Sequence, residues 1–174
     1  MTDKKPEAPE KKKNAHTISF LVANKPGVLV RIALVFARRA FNIDSLVVSP
    51  TVNPRFSRMT ITAQGDPATL EQIIKQSAKL IDVVHVGEHR MDESIEKELA
   101  LYKIHSKPSL KDELGSLLKK FHAHALDTTD DALIIEQTGS TAELDELESH
   151  LKKFQLLEMV RTGKVVLAKG KEET

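Results

Sequence analysis

The chain has 174 residues, 29% of them charged and 40% hydrophobic, with 26 Lys and Arg set against 25 Asp and Glu for a formal net charge of +1. Near-neutrality removes the overall field that would gather nucleic acid or an acidic membrane surface, and the absence of cysteine removes disulfides, thiolate metal sites and a cysteine nucleophile. Charges interrupt the apolar residues throughout, so a soluble protein of one medium or two small domains is expected, with a unit of ~75 residues able to bury a core when it also dimerises.

Met1 to Ala15 carries five lysines, three acids and two prolines, and its apolar residues are Met1, Ala8 and Ala15. It lacks the apolar core of a secretory signal and has too little apolar surface to offset its chain entropy, which predicts a disordered charged tail over 1–15 of a cytoplasmic protein. His16 to Val22 alternates β-branched and aromatic residues as a strand does. Lys25-Pro26-Gly27 then turns into a helix whose stripe is Leu29, Ile32, Ala33, Phe36, Ala37 and Ala40, with Arg31, Arg38 and Arg39 off it. Phe41–Val48 and Ser57–Ala63 are strand-like around a loop at Pro50–Pro54. Asp66 fits an N-cap with Pro67 behind it, and Leu70, Ile73, Ile74, Ser77 and Ile81 make the inward face of a second helix. Asp82–His89 closes a β-α-β-β-α-β unit over 16–90.

Met91–Glu98, with five charges, is the expected linker. The same plan then recurs over 99–170. Leu99–His105 is a strand, the turn Lys107-Pro108-Ser109 opens a helix with Leu110, Leu114, Leu117, Leu118 and Phe121, and Ala123–Asp127 and Ala132–Gln137 form a strand pair. Ser140 and Glu143 have capping-box spacing before Leu144, Leu147, Leu151 and Phe154. Leu156–Ala168 reads as a hairpin-like segment turning or bulging near Thr162-Gly163, followed by a short tail at 171–174. Repetition element by element predicts an α+β protein of two tandem ferredoxin-like βαββαβ units, each a two-layer α/β sandwich on an antiparallel sheet.

No glycine-rich phosphate loop, Gly-x-Ser-x-Gly elbow or His-Glu-x-x-His helix is present, so no catalytic residue is assigned. His122 and His124 would share a face on a strand, as metal ligands do, but no third ligand accompanies them and no metal site is assigned. An enzyme on this scaffold would have His122, His124 and Asp127 as its polar cluster. Asn24 to Leu29 is more informative, because a strand-to-helix turn presents free N–H groups and the positive end of the helix dipole to a carboxylate, and Gly27 leaves the approach open. The competing reading is that Asn24 and Gly27 serve only the turn. Asn42, where the first helix hands over to the second strand, is either a ligand-reading amide or a left-handed turn residue.

Asn24–Ile32, Phe41-Asn42-Ile43-Asp44-Ser45-Leu46, Ser57-Arg58-Met59-Thr60-Ile61, Lys79-Leu80-Ile81-Asp82-Val83 and Val160-Arg161-Thr162-Gly163-Lys164, in that order, resemble the small regulatory subunit of acetohydroxyacid synthase (acetolactate synthase). The resemblance covers His16 to about Gly170. It implies an ACT domain followed by an ACT-like domain, and a homodimer that holds a feedback effector, usually L-valine, between its two ACT domains. Asn24, Gly27, Val28 and Leu29 of one chain would take the effector's carboxylate and ammonium, with Asn42 and Ile43 supplied by the other. It further implies a large catalytic partner subunit using thiamine diphosphate, a divalent metal such as Mg2+ and FAD, none of which is expected on this chain. The implied role is to activate that subunit and confer valine feedback in branched-chain amino acid biosynthesis. A free-standing ACT-type module sensing another metabolite is the alternative. Ala40 stands where the family commonly has glycine, and the second copy lacks the two asparagines, which assigns it assembly and signal relay.

Overall fold

The computed structural model describes residues 15–90, 92–105, 111–171 and 174. The tail over Met1–Asn14, the turn Lys107-Pro108-Ser109 and Leu110 therefore lie outside the described residues. The first unit runs β1 (Ala15–Ala23), α1 (Val28–Ala37), β2 (Ile43–Pro50), β3 (Phe56–Gln64), α2 (Pro67–Ser77) and β4 (Val83–His89). Its antiparallel sheet has the order β2-β3-β1-β4. The second unit runs β5 (Ser94–His105), α3 (Lys111–Lys120), β6 (His124–Thr128), β7 (Ala132–Gly139), α4 (Thr141–Leu151) and β8 (Leu156–Arg161), with β9 (Val165–Ala168) added. Its order, β6-β7-β5-β8, repeats that of the first.

Strand alternation sends Ile18, Phe20 and Val22 of β1 and Met59, Ile61 and Ala63 of β3 to one side, where Val28, Ile32, Val35 and Phe36 of α1 and Leu70 and Ile73 of α2 cover them. Burial of each large apolar side chain is worth roughly 2 kcal/mol. A separate cluster, around Tyr102, Ile104, Ile135, Leu144, Leu147, Leu151 and Phe154, fills the second unit. Each sheet thus carries its own core. In the second, the Tyr102 hydroxyl donates to the Leu144 carbonyl at 3.0 Å, and burial pushes its pKa up to about 12. Arg161 ties β8 to its neighbours through Glu98 on β5, at 2.8 Å, and Asp145 on α4, at 2.5 Å.

The helix ends are where local sequence speaks most directly. Asp66 caps α2 by accepting from the Thr69 N–H at 2.8 Å, with Pro67 at the first position, and Ser140 and Glu143 complete a capping box on α4. Both α1 and α3 finish in the same way. The Ala40 N–H reaches the Ala37 carbonyl and the Phe41 N–H the Phe36 carbonyl, and the His122 and Ala123 N–H groups reach Lys119 and Leu118 likewise. In each pair the first residue is left-handed, Ala40 at φ 52° and His122 at φ 51°. This is the Schellman closure, usually built on glycine.

Five expectations are corrected. The α1 stripe is rotated, with Val28, Ile32, Val35 and Phe36 buried while Leu29, Ala37 and Ala40 are exposed. A helix apolar on nearly every side gives its period little power to fix the buried face. Ile81 is exposed, because α2 ends at Ser77 and Leu80 takes the inward place. The strand expected to begin at Phe41 begins at Ile43, since Phe41 is consumed in closing α1. Strand β5 starts at Ser94, so the connector expected over Met91–Glu98 is largely strand, paired with β9 from Ser94 to Lys97. Finally, β8 and β9 form no hairpin, because both pair with successive stretches of β5 and Gly163, at φ 83°, redirects the chain between them. Beyond β9, Thr174 is buried and its hydroxyl accepts from the Ala168 N–H, so the end of the chain packs on that strand.

Candidate functional site

Strand β1 ends at Ala23, and Asn24 bridges from it to the β2–β3 loop: its backbone N–H donates to the Arg55 carbonyl at 2.8 Å and its Nδ2 to the Pro54 carbonyl at 3.0 Å. Among the described residues its side-chain carbonyl accepts no hydrogen bond. Gly27, at φ 82°, occupies the N-cap of α1, a left-handed position that a side chain rarely adopts. Among the described residues no side chain caps this helix end, which leaves the first-turn N–H groups at Val28 and Leu29 available, and no acid in the first turn competes with an incoming anion. Val28 is buried in the core and offers its backbone only, whereas Leu29 is 42% exposed. Above Gly27 stands the Arg31 guanidinium, paired with Asp82 at the foot of β4 at 2.5 Å. Arg31 and Asp82 were not selected from the sequence as site residues. A Cβ on Gly27 would come within 3.4 Å of that guanidinium.

Asn42 follows the α1 closure. Its Nδ2 donates to the Asp44 carboxylate at 3.1 Å, both groups exposed, and Ile43 packs half-buried against the first core. The left-handed residue in this turn is Ala40, so Asn42 is not held there by backbone conformation. Gly65, at the end of β3, admits the Phe41 ring, which a Cβ would meet at 2.1 Å. That ring seats the connection carrying Asn42.

The two groups of residues do not meet within one chain. Register pairs His16 with Ala63 and Ala63 with Ile43 at one end of the sheet, and Ala23 with Phe56 at the other, next to Asn24. Seven strand residues separate the levels of His16 and Ala23, or roughly 23 Å at about 3.3 Å per residue. Strand β2 is an edge, and the outer side of α1 exposes Val30 at 60% and Leu34 at 46% beside Leu29. A shallow cavity of about 170 Å³, between Leu101, Tyr102, Lys103, Ile134, Glu158 and Val160, is on the second unit, away from both groups.

His122 belongs to the closure of α3 rather than to a strand, which corrects the expectation that it shares a strand face with His124. His122, His124 and Asp127 are all exposed. Among the described residues no group of three or more His, Cys, Asp or Glu side chains is placed to hold a metal, and no helix is long and apolar enough to cross a membrane. The repeat gives His124 a structural counterpart, since it follows Ala123 as Asn42 follows Phe41.

Residues 18–85 match the family model for the acetohydroxyacid synthase small subunit-like ACT domain, and residues 97–170 match that for the small subunit of acetolactate synthase. The chain belongs to the acetolactate synthase small subunits. It is 41% identical to the probable acetolactate synthase small subunit of Archaeoglobus fulgidus, over 91% of this chain and 99% of that one. It is 39% identical to the acetolactate synthase small subunit of Mycobacterium leprae, over 89% and 92%. The crystal structure of the acetolactate synthase small subunit from Thermotoga maritima superposes with a TM-score of 0.82 at 36% identity, over 91% of this chain and 99% of that one. The small-subunit relatives therefore span both units, and the α+β architecture of paired antiparallel sheets is that of the family.

Proposed function

We propose that this small subunit is the valine-responsive regulator of an acetolactate synthase: it raises the activity of a catalytic subunit and lowers it when valine binds between two of its ACT domains. The carrying observation is the split placement of Asn24–Leu29 and Asn42–Ile43 at opposite ends of one sheet. A site made from both needs a second chain. Antiparallel pairing of β2 with its two-fold copy sets the Ile43 end of one chain against the Pro50 end of the other, which is the end bearing Asn24–Leu29. The exposed Leu29, Val30 and Leu34 of α1 give such a pair an apolar contact beside the strands. In this reading the uncapped start of α1 takes the effector carboxylate, the Asn24 carbonyl takes the ammonium, and Asn42 of the other chain closes over it. Membership across both units favours this over a free-standing sensor module. Thiamine diphosphate, the divalent metal and FAD belong, in this proposal, to the catalytic subunit. Coupling of about 1–3 kcal/mol would give a several-fold to hundredfold response.

Calorimetric titration of valine into the full chain tests the proposal. Binding is expected in wild type and about tenfold weaker or worse in Asn24→Ala and in Asn42→Ala. Mixing those two variants in equal amounts regenerates one intact site per mixed pair, and mixed pairs are about half of randomly assorted dimers, so binding at about a quarter of the wild-type stoichiometry is expected. Absence of heat for valine, leucine and isoleucine overturns the sensor, and failure of the mixture to recover binding overturns the shared site.

A further inference from the structure

The first sheet has helices on one side only, yet residues on its other side are buried: Thr17 and Ser19 of β1 and Thr60 of β3 are at most 5% exposed. The second unit lies there. The first four residues of β5, paired with β9, form a ribbon with Ser94 and Val166 buried on its inner side. Gly163, ahead of β9, packs on β2. A Cβ at Gly163 would stand 2.5 Å from the Cβ and Oγ of Ser45, with Val47 close behind. Lys164 follows, with its Nζ 2.6 Å from the Glu96 carboxylate and 3.4 Å from the Thr17 hydroxyl. His89 of β4 shares this seam, bonded to Ser19 at 2.6 Å.

The seam differs from a core in its chemistry. It is made mainly of hydroxyls, an ion pair and a histidine, and Glu96 Oε1 and Arg58 Nη1 are buried in it without a partner among the described residues. Apolar interfaces resist opening because water is excluded from both faces, whereas polar groups regain hydrogen bonds on exposure, most of all those unsatisfied when buried. The seam also adjoins the candidate site. The register of β2 slips between Ile43 and Ser45, so one bulged residue, Asp44, separates Ile43 from the residue that receives Gly163. Bulges are places where a strand bends and re-aims its side chains.

We propose that Thr162-Gly163-Lys164 is a releasable latch, which seats the second unit on the open face of the ACT sheet and makes that seating answer to the Asn42–Ile43 end of β2. Its regulatory meaning rests on the effector site proposed above; the latch itself does not. Glycine at 163 lets the turn lie against Ser45, and Lys164 fastens it to Thr17 while neutralising Glu96.

The chain has no cysteine, so Glu71→Cys and Ser149→Cys, at exposed sites on α2 and α4, introduce a unique label pair across the two units. Spin-label distances are read on the full chain diluted with unlabelled protein. Wild type is expected to give one narrow distance. Gly163→Ala is expected to broaden it through the clash with Ser45 and the strain of φ 83°, and Ser45→Gly added to Gly163→Ala to narrow it in part by removing the clash. Lys164→Gln serves as the second probe, with broadening expected, should the alanine variant not fold. Hydrogen exchange across Asp44–Val48 is expected to rise about tenfold in the broadened variants while α2 exchange stays unchanged. An unchanged distance in Gly163→Ala and Lys164→Gln overturns the seating. Unchanged exchange in β2 overturns its link to the site. A chain that binds no valine overturns the proposed function, and both readouts still decide the latch.

Discussion

At the scale of single residues, Ala40 shows what a backbone angle adds to a sequence. Family resemblance marks it as a place for glycine, and its φ of 52° supplies the reason: the closure of α1 requires a left-handed residue, which costs an L side chain roughly 1–2 kcal/mol. Ala40→Gly is expected to stabilise the chain by about 0.5–1 kcal/mol in chemical denaturation, the gain being trimmed by glycine's greater freedom when unfolded. Asn42 could not be placed from sequence alone, because asparagine suits both a left-handed turn and a ligand contact. Knowing that Ala40 takes the turn frees Asn42 from it. Asn24 and Gly27 were legible as a turn, and each has a structural duty there, Asn24 to Pro54 and Gly27 at its φ of 82°. Arg31 was read only as an off-stripe charge, since its partner Asp82 is remote in sequence.

At the scale of elements, signals contained within one turn of chain were readable and signals that depend on distant partners were not. The Ser140–Glu143 box is wholly local, and Ser140→Ala is expected to cost about 1 kcal/mol of stability, measured by urea denaturation. Exchange at the α4 amino terminus should rise with it. The last segment is the opposite case. Thr162-Gly163 carries a hairpin's local chemistry, but the partner of both flanking strands is β5, more than fifty residues earlier. Likewise the charged run Asp92–Glu98 looks like a linker because its inward side is polar, with Ser94 and Glu98 buried and Glu96 partly so. Hydrophobic patterning is silent about a strand whose inward residues are hydroxyls and carboxylates. The rotation of α1 was hidden for the reverse reason, an excess of apolar residues.

At the scale of the whole molecule, the doubling of the fold was legible from the repeat, while the seam between the units was not, since its groups come from β1, β2, β3, β4, β5 and the turn before β9. The seam has a titration signature. Burial holds the His89 imidazole below its ordinary pKa of 6.5, with Arg58 and His85 acting in the same direction and Glu96 against it. The unfolded chain therefore takes up the proton first, so this contribution to stability is intact above about pH 6.5 and fades as the pH falls below it. Thermal midpoints are expected to drop between pH 7 and 5.5, and His89→Gln to flatten that drop. An equal slope in the variant would assign the loss to other groups.

The distance between the two ends of the ACT sheet has a further consequence for the proposed sensor. A recognition site divided between chains exists only in the assembled fraction, so its apparent affinity follows the subunit's own concentration through mass action as well as its contacts. Where the protein is scarce, monomers leave the effector unbound whatever its level. Synthesis of the subunit would then set the threshold at which the end product is heard, which places gene dosage and metabolite supply on one scale.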